Sequence, residues 1–319
     1  MLFGKYKFSN VFINDAILPP YKGSTFRGGF GHALKFVVCN LTHQICEECL
    51  LAKECVYIRL FEPKLLEKHF PDVKQMSTIP SPFVIEPPAI EKTHFIPNDA
   101  FDFNLLLFGD NNKFLPYFVF AFDQMGKKGV GKHIDGHRGQ FKLKTVKHEK
   151  QLIYSDEKFI TDKIEYMAPL SINDDINSNK QINTVKIIID TPLRFKIDRK
   201  ISTELTFERL VRVMLRRVSF LLASYGPGNP DLDYTEIIQK AKSVKLTNNN
   251  LKWYDWNRYS ARQDKKMNMG GLVGSVVYDG NIDQFIPFID FCSKVHIGKQ
   301  TTFGLGKIRW ELLSGSHLD

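Results

Sequence analysis

The chain alternates two kinds of apolar pattern. Near the start, "GKYKFSNVFIN" (4–14) reads as a strand. Further on, "TVKIIIDTPLRFKID" (184–198) sets Leu193, Phe195 and Ile197 against Arg194, Lys196 and Asp198, the period-two pattern of a half-buried strand. Each run leads to a stretch opening on Thr-Phe: "TFRGGFGHALKFVV" (25–38) and "TFERLVRVMLRRVSFLLAS" (206–224). Both have helical spacing, with Thr25 and Thr206 suited to be N-caps. In the second, Phe207, Leu210, Val211, Met214, Val218 and Leu221 share one side, and Arg209, Arg212 and Arg216 the other.

The two halves also close alike. In the first, the strand "FDFNLLLFG" precedes the helix "KFLPYFVFAFDQM", the loop "GKKGVGKHIDGHRG" and the strand "QFKLKTV". In the second, "GGLVGSVVYDG" precedes "NIDQFIPFIDFCSKV", the glycine-rich loop "GKQTTFGLG" and "KIRWELL". The polar stretch "SINDDINSNKQIN" (171–183) has the composition of a linker. The expectation is an α+β protein of two tandem ferredoxin-like (RRM-like) β-α-β-β-α-β domains, 1–178 and 179–319, with a cysteine-bearing insertion in the first. Segments 57–100 and 225–268 read as insertions, the former proline-rich and irregular.

Composition narrows the classes. The 319 residues are 43% hydrophobic and 25% charged, as in ordinary globular domains, with a formal net charge of +9. That balance suits a polyanionic partner such as nucleic acid. No run is apolar for long enough to span a bilayer and the N-terminus has no signal-peptide pattern, so no membrane partner and a cytoplasmic location are expected. In that compartment the five cysteines are reduced thiols or metal ligands rather than disulfides. Cys39, Cys46, Cys49 and Cys55 are spaced C-x6-C-x2-C-x5-C, which reads as a structural zinc site; an iron–sulfur cluster and unliganded thiols remain open. Cys292 sits in an apolar helix and reads as core.

An ordered set of stretches then resembles a known family. They are "LPPYKGSTFRGGFGHAL" (18–34), "PFVIEPP" (82–88), "LPYFVFAFDQMGKKGVGK" (115–132), "TPLRFK" (191–196), "MLRRVSFL" (214–221), "WNRYSARQ" (256–263), "GGLVGSVVYDG" (270–280) and "HIGKQTTFGLGKI" (296–308). Together they resemble the repeat-associated mysterious protein (RAMP) superfamily of CRISPR proteins, and within it the precursor-RNA processing endoribonucleases. The resemblance implies a metal-independent ribonuclease that cuts CRISPR repeat RNA in the precursor crRNA by 2′-hydroxyl attack, leaving 2′,3′-cyclic phosphate and 5′-hydroxyl ends. It implies no catalytic cofactor, and other CRISPR effector or adaptation proteins as possible partners. A non-catalytic RNA-binding subunit on the same fold is the alternative.

Such chemistry needs an acid, a base and a counter to phosphate charge. On the helix 25–38, Phe26, Phe30, Ala33 and Val37 form the expected buried face, and His32 and Lys35 project opposite with Gly28 and Gly31. His32 is the acid/base candidate, Lys35 the phosphate stabiliser, and Tyr21 a helper in proton transfer; family enzymes commonly draw a histidine, and often a tyrosine and a lysine, from this region. His133 and His137 are rivals for the acid/base role, and His296 adjoins the last loop. Lys127, Lys128, Lys132, His133 and Arg138 make a basic loop. "WYDWNRYSARQDKK" (253–266) interleaves aromatics with Arg258 and Arg262, a pairing suited to stacked bases and phosphates. In the glycine-rich loop, Gly298, Gly304 and Gly306 are expected to let backbone approach a phosphodiester, with Lys299 adding charge and Thr301 and Thr302 adding hydroxyls. A tight helix-to-strand connection is the competing reading of that loop.

Overall fold

The computed structural model describes residues 1–41, 45–63, 65, 79–160, 168–172, 182–197, 200–260 and 265–313. Most of the linker stretch 171–183 lies outside them. The chain divides into one unit of Met1–Pro169 with Ser224–Gly226, and a second of Leu170–Ala223 with Pro227–Asp319.

In the first unit, β1 (Leu2–Phe12) runs into α1 (Gly23–Val38), followed by the short α2 (Val56–Phe61). Then come β2 (Phe83–Glu86), β3 (Ala100–Phe108) and α3 (Leu115–Lys128). A hairpin of β4 (Val130–Ile134) and β5 (His137–Gly139) precedes β6 (Phe141–His148), β7 (Gln151–Ser155) and β8 (Lys158–Phe159). The main sheet has the antiparallel order β8-β7-β6-β1-β3-β2. Phenylalanine builds the core between the sheet and the helices α1 and α3. Phe8 of β1 pairs in register with Phe103 of β3, their rings 4.8 Å apart, and Phe30 of α1 stacks on Phe118 and Phe122 of α3. Each such pair is worth about 0.5–1.5 kcal/mol beyond the area it buries.

The second unit follows the same path. It comprises β9 (Thr184–Leu193), β10 (Lys196–Ile197), α4 (Phe207–Tyr225), α5 (Tyr234–Lys242), β11 (Lys245–Tyr254), β12 (Gly271–Asp279), α6 (Ile286–Val295) and β13 (Ile308–Leu312). Its main sheet has the antiparallel order β11-β12-β9-β13. Thr206 caps α4 as expected, its hydroxyl accepting from the Arg209 N–H at 3.3 Å. Among the described residues no helix is long and apolar enough to cross a membrane.

Several expectations are corrected. The two segments read as insertions each supply a strand of a main sheet, β2 and β11. Strand β2 is four residues, all buried, so it shows no alternation; β11 is mostly exposed, and its alternation holds over Leu251–Tyr254 but not through Thr247–Asn250. The stretch 126–139 is not a loop but the end of α3 and the β4–β5 hairpin. Asp135 and Gly136 both have positive φ, 47° and 86°, as a two-residue hairpin turn requires. Helix α1 begins before Thr25: the Phe26 N–H donates to the Lys22 carbonyl at 3.0 Å, and Lys22 takes the N-cap position without a side-chain cap. Two of the helix glycines also serve packing rather than an open face. A Cβ on Gly29 would lie 2.8 Å from the Met125 sulfur, and one on Gly31 2.7 Å from the Phe61 ring; Gly28 alone faces open space.

Candidate nucleic-acid interface

The first unit carries the proposed acid–base group. His32 is exposed on the third turn of α1, with Gly28 one turn before it and Lys35 three residues on. Residues three or four apart are neighbours on a helix surface. Lys35 is half-buried, its ammonium 5.8 Å from the Tyr57 ring centroid. Tyr21 is half-buried in the turn ahead of the helix. Between Tyr21 and the helix stands Lys22, which the sequence reading passed over. It is fully buried, its ammonium donating to the carbonyls of Pro20 (3.0 Å) and Ile90, and burial lowers its pKa. Lys22 thus ties the start of α1 to the chain before β3.

The hairpin bears the basic residues expected of a loop here. Lys132, His133, His137 and Arg138 are exposed on it. The Arg138 Nε donates to His133 Nε2 at 3.0 Å, so that nitrogen carries no proton in this arrangement. Lys127 is engaged with Asp123 at 2.7 Å, whose hydrogen bond raises its pKa, and Lys128 lies over the Phe36 ring at 4.5 Å.

In the second unit the glycine-rich loop approaches its own chain. Gly298, Gly304 and Gly306 have φ of 83°, 80° and 72°. A Cβ on Gly306 would stand 1.8 Å from the Ile297 carbonyl oxygen, and one on Gly298 2.6 Å from that of Arg194. The Lys299 N–H donates to the Arg194 carbonyl at 2.8 Å, and the Gly306 N–H to that of Pro192 at 3.1 Å. Thr191 Oγ1 donates to the Gly304 carbonyl at 2.7 Å. Thr301, Phe303, Gly304 and Gly306 are buried, so their part is to seat the loop. Lys299 is exposed and Thr302 half-exposed, and these two face outward. His296 is 1% exposed and is not available to a phosphate.

Around Lys299 gather three cations that the sequence reading did not place at a site: Arg194, Lys196 and Arg216. Partial desolvation, and then the charges of Lys196, Arg216 and Arg194, hold the Lys299 pKa below the ordinary lysine value. Arg194 is held by Nη1, which donates to the Gly270 carbonyl (2.9 Å) and the Asn268 side chain (3.1 Å). Asn268 in turn donates to Asp255, which also accepts from the Trp253 indole at 2.9 Å. Arg216 lies over the Phe220 ring, 5.2 Å from its centroid. Among the described residues, none of the four cations forms an ion pair with a carboxylate. The signal for them was present: Arg194 and Lys196 are the outward positions of an alternating run, and Arg216 is on the polar side of α4. Of the other candidates, Arg258 is on a short strand, Asn257–Ser260, whose side chains the structure does not describe, and Arg262 lies outside the described residues.

The expected zinc site does not fit. Among the described residues no three histidine, cysteine, aspartate or glutamate side chains are placed to hold a metal. Cys46, Cys49 and Cys55 pack instead on a small apolar cluster of Ala52, Ile58 and Leu65. Burial raises the Cys46 thiol pKa, opposed by Lys35 and reinforced by Cys55, Cys39 and Glu47. A thiolate ligand needs the reverse. Cys39 is half-buried just past the end of α1, and Cys292 is core as expected.

The comparisons with known proteins agree with this architecture. Residues 1–166 match the family model AF_1859_N, an N-terminal domain, and residues 187–308 match that of the CRISPR-associated endoribonuclease Cas6. The chain belongs to the family of the first model, which spans just over half of it, and residues 187–308 carry its likeness to the CRISPR-associated endoribonuclease Cas6. An uncharacterized protein of Archaeoglobus fulgidus is 21% identical over 296 residues, 92% of each chain. Among solved structures, a Cas6 product complex aligns with 98% of this chain and 100% of its own, with a TM-score of 0.56 and 11% identity. Thermus thermophilus Cas6 aligns over 97% and 98%, with a TM-score of 0.52 and 10% identity. A partial Cas6-RT-Cas1–Cas2 complex aligns with all of this chain and 47% of that one, with a TM-score of 0.60 and 12% identity. At these identities the likeness to solved structures is one of fold.

Proposed function

We propose that the chain is an endoribonuclease that binds CRISPR repeat RNA in the precursor transcript and cuts it without a metal ion. The observation that carries the RNA reading is the group of four cations at the glycine-rich loop, without an ion-paired carboxylate among the described residues. Mutual repulsion disfavours such a group, and phosphate relieves it. We read each unit as ferredoxin-like, from the order of its four central strands: β6-β1-β3-β2 and β13-β9-β12-β11.

In the proposed reaction the 2′-hydroxyl beside the scissile phosphate loses its proton to a base and attacks phosphorus. The 5′-oxygen departs and takes a proton. The products are a 2′,3′-cyclic phosphate and a 5′-hydroxyl. His32, exposed on α1, serves the proton transfers; Lys35 offsets phosphate charge, and Tyr21 assists. Lys132, His133 and Arg138 grip the backbone from the hairpin. The partial Cas6-RT-Cas1–Cas2 assembly supports other CRISPR proteins as partners.

The test uses end-labelled repeat RNA with and without EDTA, beside the same RNA with one 2′-deoxy nucleotide at the cut. Expected are cleavage unaffected by EDTA, cyclic-phosphate ends, and no cut in the deoxy substrate. Binding without cleavage would make the chain an RNA-binding subunit. Cleavage lost in EDTA would overturn the mechanism.

A further inference from the structure

The backbone at His296 is unusual. Two residues around the glycine-rich loop have positive φ without being glycine, His296 and Gln300. Gln300, at φ 62° and ψ 31°, sits in the left-handed well that other residues visit at modest cost. His296, at φ 57° and ψ 148°, lies outside that well, in a region essentially reserved for glycine. Glycine would remove the strain, and this loop uses glycine freely elsewhere. The imidazole therefore has a use that offsets it.

That use is visible. His296 caps the end of α6 and is buried, and its Nδ1 lies 3.1 Å from the Leu305 carbonyl oxygen. A carbonyl only accepts, so Nδ1 carries the proton. This bond joins the two ends of the loop. Beside it the Ile297 N–H donates to the Gly306 carbonyl at 2.9 Å. From α4, buried Arg217 holds the preceding carbonyl, that of Val295, through Nη2 (2.8 Å) and Nε (3.3 Å). The loop so closed is the one whose Lys299 N–H is seated on Arg194.

We propose that His296 is a positioning residue for RNA binding. Its Nδ1–H pins Leu305 and so fixes where Lys299 stands relative to Arg194, Lys196 and Arg216. The inference rests on reading that loop as an RNA contact. Asparagine carries a donor at the same number of bonds from Cα, so it should keep the pin; alanine and glycine remove it.

The experiment compares full-length His296→Asn, His296→Ala and His296→Gly with wild type. It measures affinity for repeat RNA, and hydrogen exchange at the amides of Lys299 and Gly306. Asn should bind within about threefold of wild type. Ala and Gly should bind about tenfold more weakly, as loss of one hydrogen bond allows, with faster exchange at both amides. Wild-type affinity in Ala and Gly overturns the proposal, and so does an Asn variant as weak as Ala. If the glycine variant does not fold, the Asn and Ala pair decides. Wild type that prefers repeat RNA no more than a scrambled one sinks the RNA reading itself, a failure seen without any substitution.

Discussion

Replacing Lys299 with alanine should move stability and binding in opposite directions. Partial desolvation and three neighbouring cations hold the Lys299 pKa below its ordinary value. A lysine with a lowered folded pKa is a burden on the fold while it is charged. Stability recovers only as pH rises from the folded pKa toward the unfolded one near 10.5, so at neutral pH the whole burden is present. Removing the side chain should leave the melting temperature unchanged or raise it. Binding should fall. For single-stranded RNA each neutralised phosphate contributes about 0.7 to the log–log salt slope, so four cations supply roughly 2.8 and the variant loses about a quarter of that. Extrapolated from 1 M to 0.15 M salt, 0.7 in slope is a loss of about fourfold in affinity, alike for repeat and unrelated RNA, because a phosphate contact carries no base information. The assay is filter binding across a salt series, with thermal melts of the same protein. An unchanged slope and affinity in a variant of normal stability would refute the reasoning, leaving the loop a connector.

Gly306→Ala forces a Cβ against the Ile297 carbonyl at positive φ and disturbs two backbone hydrogen bonds. It should cost about 3 kcal/mol and lower the melting temperature by roughly 6–12 °C, readable by calorimetry. His32→Ala should slow single-turnover cleavage by about 10²-fold or more while RNA affinity stays within about threefold; a wild-type rate would move suspicion to His133 or His137. Elemental analysis should find zinc and iron well below one atom per chain, given how the thiols pack, and one firmly held zinc would restore the metal reading.

How much of this was legible depended on whether a residue's neighbours lie near it in sequence. The helix faces and the long strands were readable, because Phe26 and Phe30 in α1, or Leu210 and Met214 in α4, announce their burial through spacing alone. Strand β2 was not, since Phe83–Glu86 is buried throughout and so lacks a period. Nor was β11, where the run of exposed residues Thr247–Asn250 interrupts the pattern and alternation is left over Leu251–Tyr254. The glycines of the last loop were rightly singled out, but what they approach is Pro192, Arg194 and Ile297, and only three-dimensional structure names those partners. The Asp-Gly turn of the hairpin was in plain view at 135–136 and was outweighed by the density of lysine and histidine around it. The cysteine spacing suggested a metal because spacing carries no information about where each thiol points. Arg194 and Lys196 lie at the junction of β9 and β10, Arg216 lies in α4 and Lys299 about eighty residues further on, so no local pattern assembles them.

Strand β11 has a further consequence. It ends the path of the second sheet and pairs with β12 alone in it. The outer side of a ten-residue edge strand, without a strand partner among the described residues, is an invitation to another chain, and apolar strands in that position seed aggregates. This one reads "KLTNNNLKWY", with Lys245 at its start, Lys252 near its end, three asparagines in the middle and a register shift between Leu246 and Asn248. Asparagine is a poor strand former, lysine repels a like strand, and the shift bends the ladder away from a flat docking edge. The residues that hid this strand from the sequence are those that keep crowded copies of the protein from zipping together.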